Sequence, residues 1–105
     1  MEEYFLHWLD ENVDKLKSEG IVIDELVKND ENYSDLCTRV DLLSKRKISR
    51  IVVFHSGRTY MEILDMETTN TEFIFDDFFK SFDEIEKFLS QNILKMVYSQ
   101  SSSLD

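Results

Sequence analysis

The stretch RIVVFHSGRTYMEIL, from Arg50 to Leu64, sets two β-branched and aromatic runs on either side of His55, Ser56, Gly57 and Arg58. Runs of this kind read as strands, and a glycine between them supplies the positive φ that tight hairpin turns demand. With Ser56 and Gly57 as the central pair of a two-residue loop, His55 is expected to face Arg58, Phe54 to face Thr59 and Val53 to face Tyr60. Val52 then faces Met61, and Ile51 faces Glu62. Aromatic and β-branched cross-strand pairs of this sort stabilise a ladder.

The adjacency of His55 and Ser56 invites a second reading, a nucleophile beside its base. A base must reach the serine Oγ and be oriented by a third group, yet consecutive strand residues point to opposite faces and no glycine-flanked nucleophile elbow surrounds Ser56. The residues favour the turn.

The flanking chain supplies the rest of a small domain. Phe5, Trp8, Leu9 and Leu16, with Val13 near the edge, fall at helical spacing from Glu2 to about Glu19, and Gly20 stands where a helix C-cap takes positive φ. IVIDELV reads as a first strand and KNDENYSD as a loop. From Leu36 to Leu43, Cys37, Arg39 and Asp41 alternate with Thr38, Val40 and Leu42, the pattern of a half-buried strand. Ile48–Phe54, Thr59–Met66 and Thr71 to about Phe79 complete five strands. Ser81 followed by Glu84 forms a capping box, after which Ile85, Phe88, Leu89, Ile93, Met96 and Val97 keep helical spacing to about Tyr98. The expected class is α+β: an N-terminal helix, a five-stranded antiparallel meander and a C-terminal helix, with both helices on one face. There is no internal repeat and no linker, so residues 1–98 read as one domain and 99–105 as a disordered polar tail.

Charge narrows the partners. The 22 Asp and Glu against 12 Lys and Arg give a net charge of −10. Such a field repels phosphate backbones and anionic lipid, so neither nucleic acid nor membrane is an expected partner, and a basic protein surface is. The one basic cluster, Lys45, Arg46, Lys47 and Arg50, reads as a solvated loop. No apolar run reaches the roughly 18 residues of a membrane span, the start MEEYFLHWLD is acidic where a signal peptide is basic, and Cys37 has no second cysteine to pair with. These features point to the cytoplasm.

Other chemistry has little to build on. His7, His55 and Cys37 lie on three separate elements without ligand spacing, so no metal site is expected. Two glycines provide no phosphate-cradling loop, and no cofactor is expected. Acid pairs such as Asp24-Glu25, Asp30-Glu31 and Asp76-Asp77 are read as surface rather than as acid/base machinery.

In the proposed register one hairpin face carries Val52, Phe54, Met61 and Ile63, and the other Ile51, Val53, Tyr60 and Leu64 beside Glu62. Two helices about 25 Å long cover one face of such a sheet, which leaves a half-apolar face rimmed by acids. Exposure of Tyr60, Val53 and Phe73 is the deciding observation; burial of these residues under the helices removes the patch.

Several strings also resemble a known family. YFLHWLDENVDKLKSEG, then VDLLSKRKISRIVVFHSGRTYMEILDMETTNTEF, then the helix opening FDEIEKFL are similar to the TriTu family of bacterial immunity proteins, over about Tyr4 to Leu94. Trp8-Leu9-Asp10, Val53 to Gly57 and Leu64 to Thr68 fill its motif positions. Phe54-His55 stands where the family pattern has tryptophan and an acid, and Thr69-Asn70 replaces a Thr-Gly turn, a change that asparagine's tolerance of left-handed geometry makes conservative.

The resemblance implies a protein that is no enzyme itself. It implies that the chain forms a tight complex with the toxin domain of a secreted Rhs-type effector, an ADP-ribosyltransferase that modifies elongation factor Tu. The contact is expected among Asp24, Glu25, Asp30 and Glu31, Tyr60 and Glu62, and Asp76 and Asp77. An acidic secretion chaperone and a small hydrolase that reverses ADP-ribosylation are the alternatives. The oligomeric state stays open, a homodimer included.

Overall fold

Phe5, Trp8, Leu9 and Leu16 form one buried stripe of helix α1 (Glu2–Ser18), while Val13 stays exposed at its margin. The helix stops at Gly20, whose φ of +86° lets the chain reverse. There the Ile21 N–H donates to the Leu16 carbonyl at 2.9 Å and the Gly20 N–H to the Lys17 carbonyl at 3.0 Å. That pair of bonds is the Schellman arrangement, and buried Ile21 and Leu16 supply the apolar contact that accompanies it.

The computed structural model describes residues 1–97; Tyr98 and the expected tail, 99–105, lie outside them. After α1 come β1 (Val22–Lys28), β2 (Cys37–Leu43), β3 (Lys47–Phe54), β4 (Arg58–Asp65), β5 (Thr71–Phe78) and α2 (Phe82–Asn92). The five strands form one sheet in the order β1-β2-β3-β4-β5, each pair antiparallel. The expected α+β class and meander are therefore what the chain adopts.

Both helices pack on one face. Val40, Leu42, Ile51, Val53, Met61 and Ile63 meet Phe5, Trp8 and Leu9 of α1 and Ile85 and Leu89 of α2 in one buried cluster. Each such side chain contributes about 1.5–3 kcal/mol by leaving water. Under β5 the filling is aromatic: Phe88 of α2 has ring centroids 4.2 Å from Phe75, 5.5 Å from Phe79 and 6.3 Å from Phe73.

The hairpin register departs from expectation by one residue. Val53 faces Thr59, Val52 faces Tyr60, Ile51 faces Met61 and Arg50 faces Glu62. The loop holds three residues, His55 to Gly57, because the Gly57 N–H closes a turn on the Phe54 carbonyl at 3.0 Å and Gly57, at φ +95°, is the left-handed residue that follows. This is the three-residue hairpin with a glycine bulge, and a one-residue slip re-sorts every side chain between faces. Ile51, Val53, Met61 and Ile63 consequently share the helix side, and Val52, Phe54, Tyr60, Glu62 and Leu64 share the other. His55 and Arg58 are no cross-strand pair: the His55 Nδ1 lies 3.2 Å from the Glu2 carboxylate, and Arg58 engages Asp76.

Three further expectations change. Ser81 occupies the N-cap position, but its hydroxyl makes no cap bond, and first-turn Asp83 and Glu84 meet the helix dipole instead. Helix α2 ends at Asn92 and tightens into a 3-10 turn, Ile93–Met96. The Lys95 and Met96 carbonyls are taken by the Lys47 ammonium at 3.0 Å and the Ser44 hydroxyl at 2.7 Å. These side chains, from the β2–β3 turn and the first residue of β3, satisfy the end of the 3-10 turn. Finally, β2 is buried on both sides from Cys37 to Leu42 rather than on one.

Candidate partner-binding surface

The sheet face away from the helices begins with an unusual strand. Arg39 and Asp41, two apart on β2, point to that face and both are buried. A buried guanidinium must have its donors met. Arg39 donates from Nε to Asp30 at 2.7 Å, from Nη1 to Asp41 at 2.6 Å and from Nη2 to Glu25 at 2.8 Å. Asp41 in turn accepts from Arg50 at 2.9 and 3.1 Å. The chain of charges thus runs from the β1–β2 loop through β1 and β2 to β3, and its strand members are neighbours because the register sets Glu25 and Arg50 on either side of Asp41.

The loop that brings Asp30 also roofs part of this face. The Asp30 Oδ1 accepts from the backbone N–H of Asn32 at 3.0 Å, which folds the loop back on itself. Tyr33 then sets its ring edge-on against Phe54, with centroids 5.6 Å apart. Cys37, Val52 and Phe54 are buried beneath it, with Tyr33 and Tyr60 at the margin.

These contacts fix protonation states. The Asn32 amide and then Arg39 hold the Asp30 carboxyl below its ordinary 3.8. For Asp41, burial alone would raise the carboxyl, but Arg50 and Arg39 together outweigh it and lower it. Burial, then Glu62, pushes the Tyr60 phenol up, so it stays neutral. A carboxyl whose folded value lies below its unfolded one contributes stability above the unfolded value, and that contribution disappears as pH falls through the folded one. The melting temperature is therefore expected to hold down to about pH 5 and to drop below about pH 4. The variants Asp30→Asn and Asp41→Asn should flatten that acid limb in a thermal melt series.

Toward β4 and β5 the face opens. Tyr60 and Glu62 are half-buried, and Arg50, Glu62, Ile48 and Leu64 line a shallow depression of about 160 Å³. Arg58 grips Asp76 with two bonds, 2.9 and 2.8 Å, and its guanidinium lies 5.3 Å above the Phe54 ring. Ile74 and Phe78 stand beside that pair, 62% and 65% exposed.

Of the residues singled out from the sequence, Glu25, Asp30, Tyr60, Glu62 and Asp76 lie on this face, Glu25 and Asp30 grouped around Arg39 at the β1 side and Tyr60, Glu62 and Asp76 on β4 and β5. Asp30 is spent on Arg39 and its own loop. Asp24 sits at the bulge in β1, Glu31 is on the exposed loop, and Asp77, opposite Thr59, belongs to the helix side. Val53 and Phe73, named as indicators of an open patch, are on the helix side, Val53 fully buried and Phe73 half-buried, and Tyr60, on the open face, is half-buried; none of the three is exposed, and the open apolar surface lies instead at Ile74 and Phe78. Ile74 and Phe78 were not singled out, although alternation with Asp76 in TEFIFDDF carried the signal. Nor was Arg39, whose spacing from Asp41 placed both on one face.

Three of the four basic-cluster residues are paired internally, Arg46 with Asp65 at 2.9 Å, Lys47 with Glu72 at 2.8 Å and Arg50 with Asp41, while Lys45 is exposed; Lys47 and Arg50 belong to β3 rather than to the solvated loop expected. Among the described residues no group of three or more His, Cys, Asp or Glu is arranged to hold a metal ion, and no helix is long and apolar enough to cross a membrane.

No curated protein and no solved structure matches the chain. A family model described as immunity protein TriTu matches residues 3–94, from α1 through all five strands to the end of α2. The chain belongs to the TriTu family of immunity proteins.

Proposed function

We propose that this immunity protein acts in the cytoplasm of the producing cell by binding and occluding a cognate toxin domain, a secreted ADP-ribosyltransferase directed at elongation factor Tu, and that it does so without catalysis. The observation that carries the reading is the half-apolar sheet face, left uncovered by the helices beyond Tyr33 and edged by Glu25, Glu62 and Asp76. Such a surface suits a basic protein, not nucleic acid or a membrane. Contact falls on Glu25, Tyr60, Glu62 and Asp76, with Asp24 and Glu31 steering at the β1 margin, Asp77 across the edge, and Asp30 acting only by holding Arg39.

The test uses a purified toxin domain of the proposed class, an ADP-ribosyltransferase directed at elongation factor Tu. Equimolar protein is expected to abolish ADP-ribosylation of elongation factor Tu while leaving already modified factor unchanged. Removal of the existing modification would identify an enzyme, and capture of an unfolded toxin segment without inhibition would identify a chaperone. The association rate should fall as salt rises through about 0.15 M, where the screening length is about 8 Å. A rate indifferent to salt would rule out steering by the acidic surface.

A further inference from the structure

Strand β5 is an edge, and its outer backbone is open. The Phe79 N–H donates to the Gly57 carbonyl at 3.1 Å, and antiparallel pairing alternates from there. Asp77, Phe75 and Phe73 therefore bond to β4, and the N–H and C=O groups of Ile74, Asp76 and Phe78 point outward. The Ser49 hydroxyl, which donates to the Glu62 carbonyl at 2.8 Å, reports the same phase, since it shows Glu62 facing β3 rather than β5. The outward N–H of Phe78 is capped by the Asp77 carboxylate at 2.7 Å. Among the described residues, no hydrogen bond from outside the sheet reaches the backbone of Ile74 or Asp76.

Natural edges are blunted by lysine, proline or bulges. The other edge, β1, has a bulge at Asp24 and ends in Lys28. From Phe73 to Phe78, β5 pairs without a break and contains neither lysine nor proline, while Ile74 and Phe78 stand exposed on its open-face side.

We propose that this edge receives an extended segment of the toxin as a sixth strand, an inference that rests on the toxin-binding reading above. The segment sets apolar side chains beside Ile74 and Phe78 and a cationic one beside Asp77. Charge selects this occupant over a second copy. Arg58 offsets Asp76 and Lys47 offsets Glu72, but Asp77 and Glu62 have no cationic partner among the described residues. A second chain of net charge −10 would add its own acids to the same edge. Backbone bonds across the edge give affinity and the alternate side chains give specificity.

Amide exchange in the complex with the same toxin domain tests this. The Ile74 and Asp76 amides are expected to become protected. Ile74→Pro removes an outward N–H, which edge strands tolerate, and should weaken binding about tenfold or more, whereas Ile74→Thr keeps the N–H and should cost less. Thermal melts of both variants check folding, and the wild-type exchange result stands if Ile74→Pro does not fold. A complex that forms with both amides still exchanging freely overturns the sixth strand but leaves toxin binding intact. Protection that grows with protein concentration in the absence of toxin assigns the edge to a second copy and overturns the proposal. Absence of any complex overturns both readings.

Discussion

Replacing Arg39 by alanine is expected to destabilise the fold by about 3 kcal/mol, or about 15 °C in melting temperature for a domain of this size. The cost comes from what is left behind. The side chains of Asp30 and Asp41 are only 6% and 10% exposed, and without the guanidinium they are carboxylates turned inward with part of their bonding removed. Glu25, 56% exposed, rehydrates easily and keeps the value at the low end for a buried pair. Arg39→Lys should recover only part of the loss, because one ammonium cannot replace a planar fork aimed at three carboxylates. Urea unfolding measures this directly: the midpoint should fall with the slope unchanged. A loss under about 1 kcal/mol would mean that the ladder is solvated and only incidental to stability.

The same substitution links stability to the surface. Arg39 is what holds Asp30, Asp30 folds the β1–β2 loop, and that loop places Tyr33 over Phe54. Freed, the loop would uncover Cys37 and Val52 and alter the part of the sheet face proposed to meet the toxin. Arg39→Ala should therefore weaken toxin binding even at temperatures where the domain stays folded, and Glu25→Ala, which leaves the loop in place, should weaken it less.

Much of this fold was legible because local signals and tertiary demands agree. Gly20 ends α1 by chemistry contained within a few residues, and the Cys37–Leu42 alternation sorts β2 correctly between faces. Legibility failed where a distant element decides. Phe54 to Arg58 fits a two-residue or a three-residue loop equally well as a string, and the choice depends on the end of β5 arriving beside Gly57. The slip of one residue then exchanged Val53 for Val52 beside Tyr60. Asp30 followed the same rule: as one acid in an acidic loop it read as surface, and only the loop's fold back onto β2 makes it the partner of Arg39. Helix α2 gave way to a 3-10 turn at Ile93 for a similar reason, since the carbonyls at the end of that turn are taken by Ser44 and Lys47, which lie between β2 and the start of β3.

Gly57→Ala should be nearly as damaging as the loss of Arg39, at about 2–3 kcal/mol, for two separable reasons. At φ +95° any residue with a β-carbon is strained, by about 1–2 kcal/mol. In addition, a β-carbon here would overlap the Phe79 carbonyl oxygen, a backbone atom that cannot rotate away. Phe79 is fixed by its own bond to the Gly57 carbonyl and by its ring against Phe75 and Phe88, so relief requires moving the end of β5. Gly20→Ala isolates the first term. Its φ is +86°, but the nearest atom to an added β-carbon is a flexible Val97 methyl at 4.0 Å, so the expected loss is only about 1 kcal/mol. Equal losses in the two variants would show that close approach of β5 contributes nothing. A larger loss at Gly57, together with faster exchange of the Phe73, Phe75 and Asp77 amides that bond to β4, would show that this glycine sets the hairpin register and seats the edge strand together.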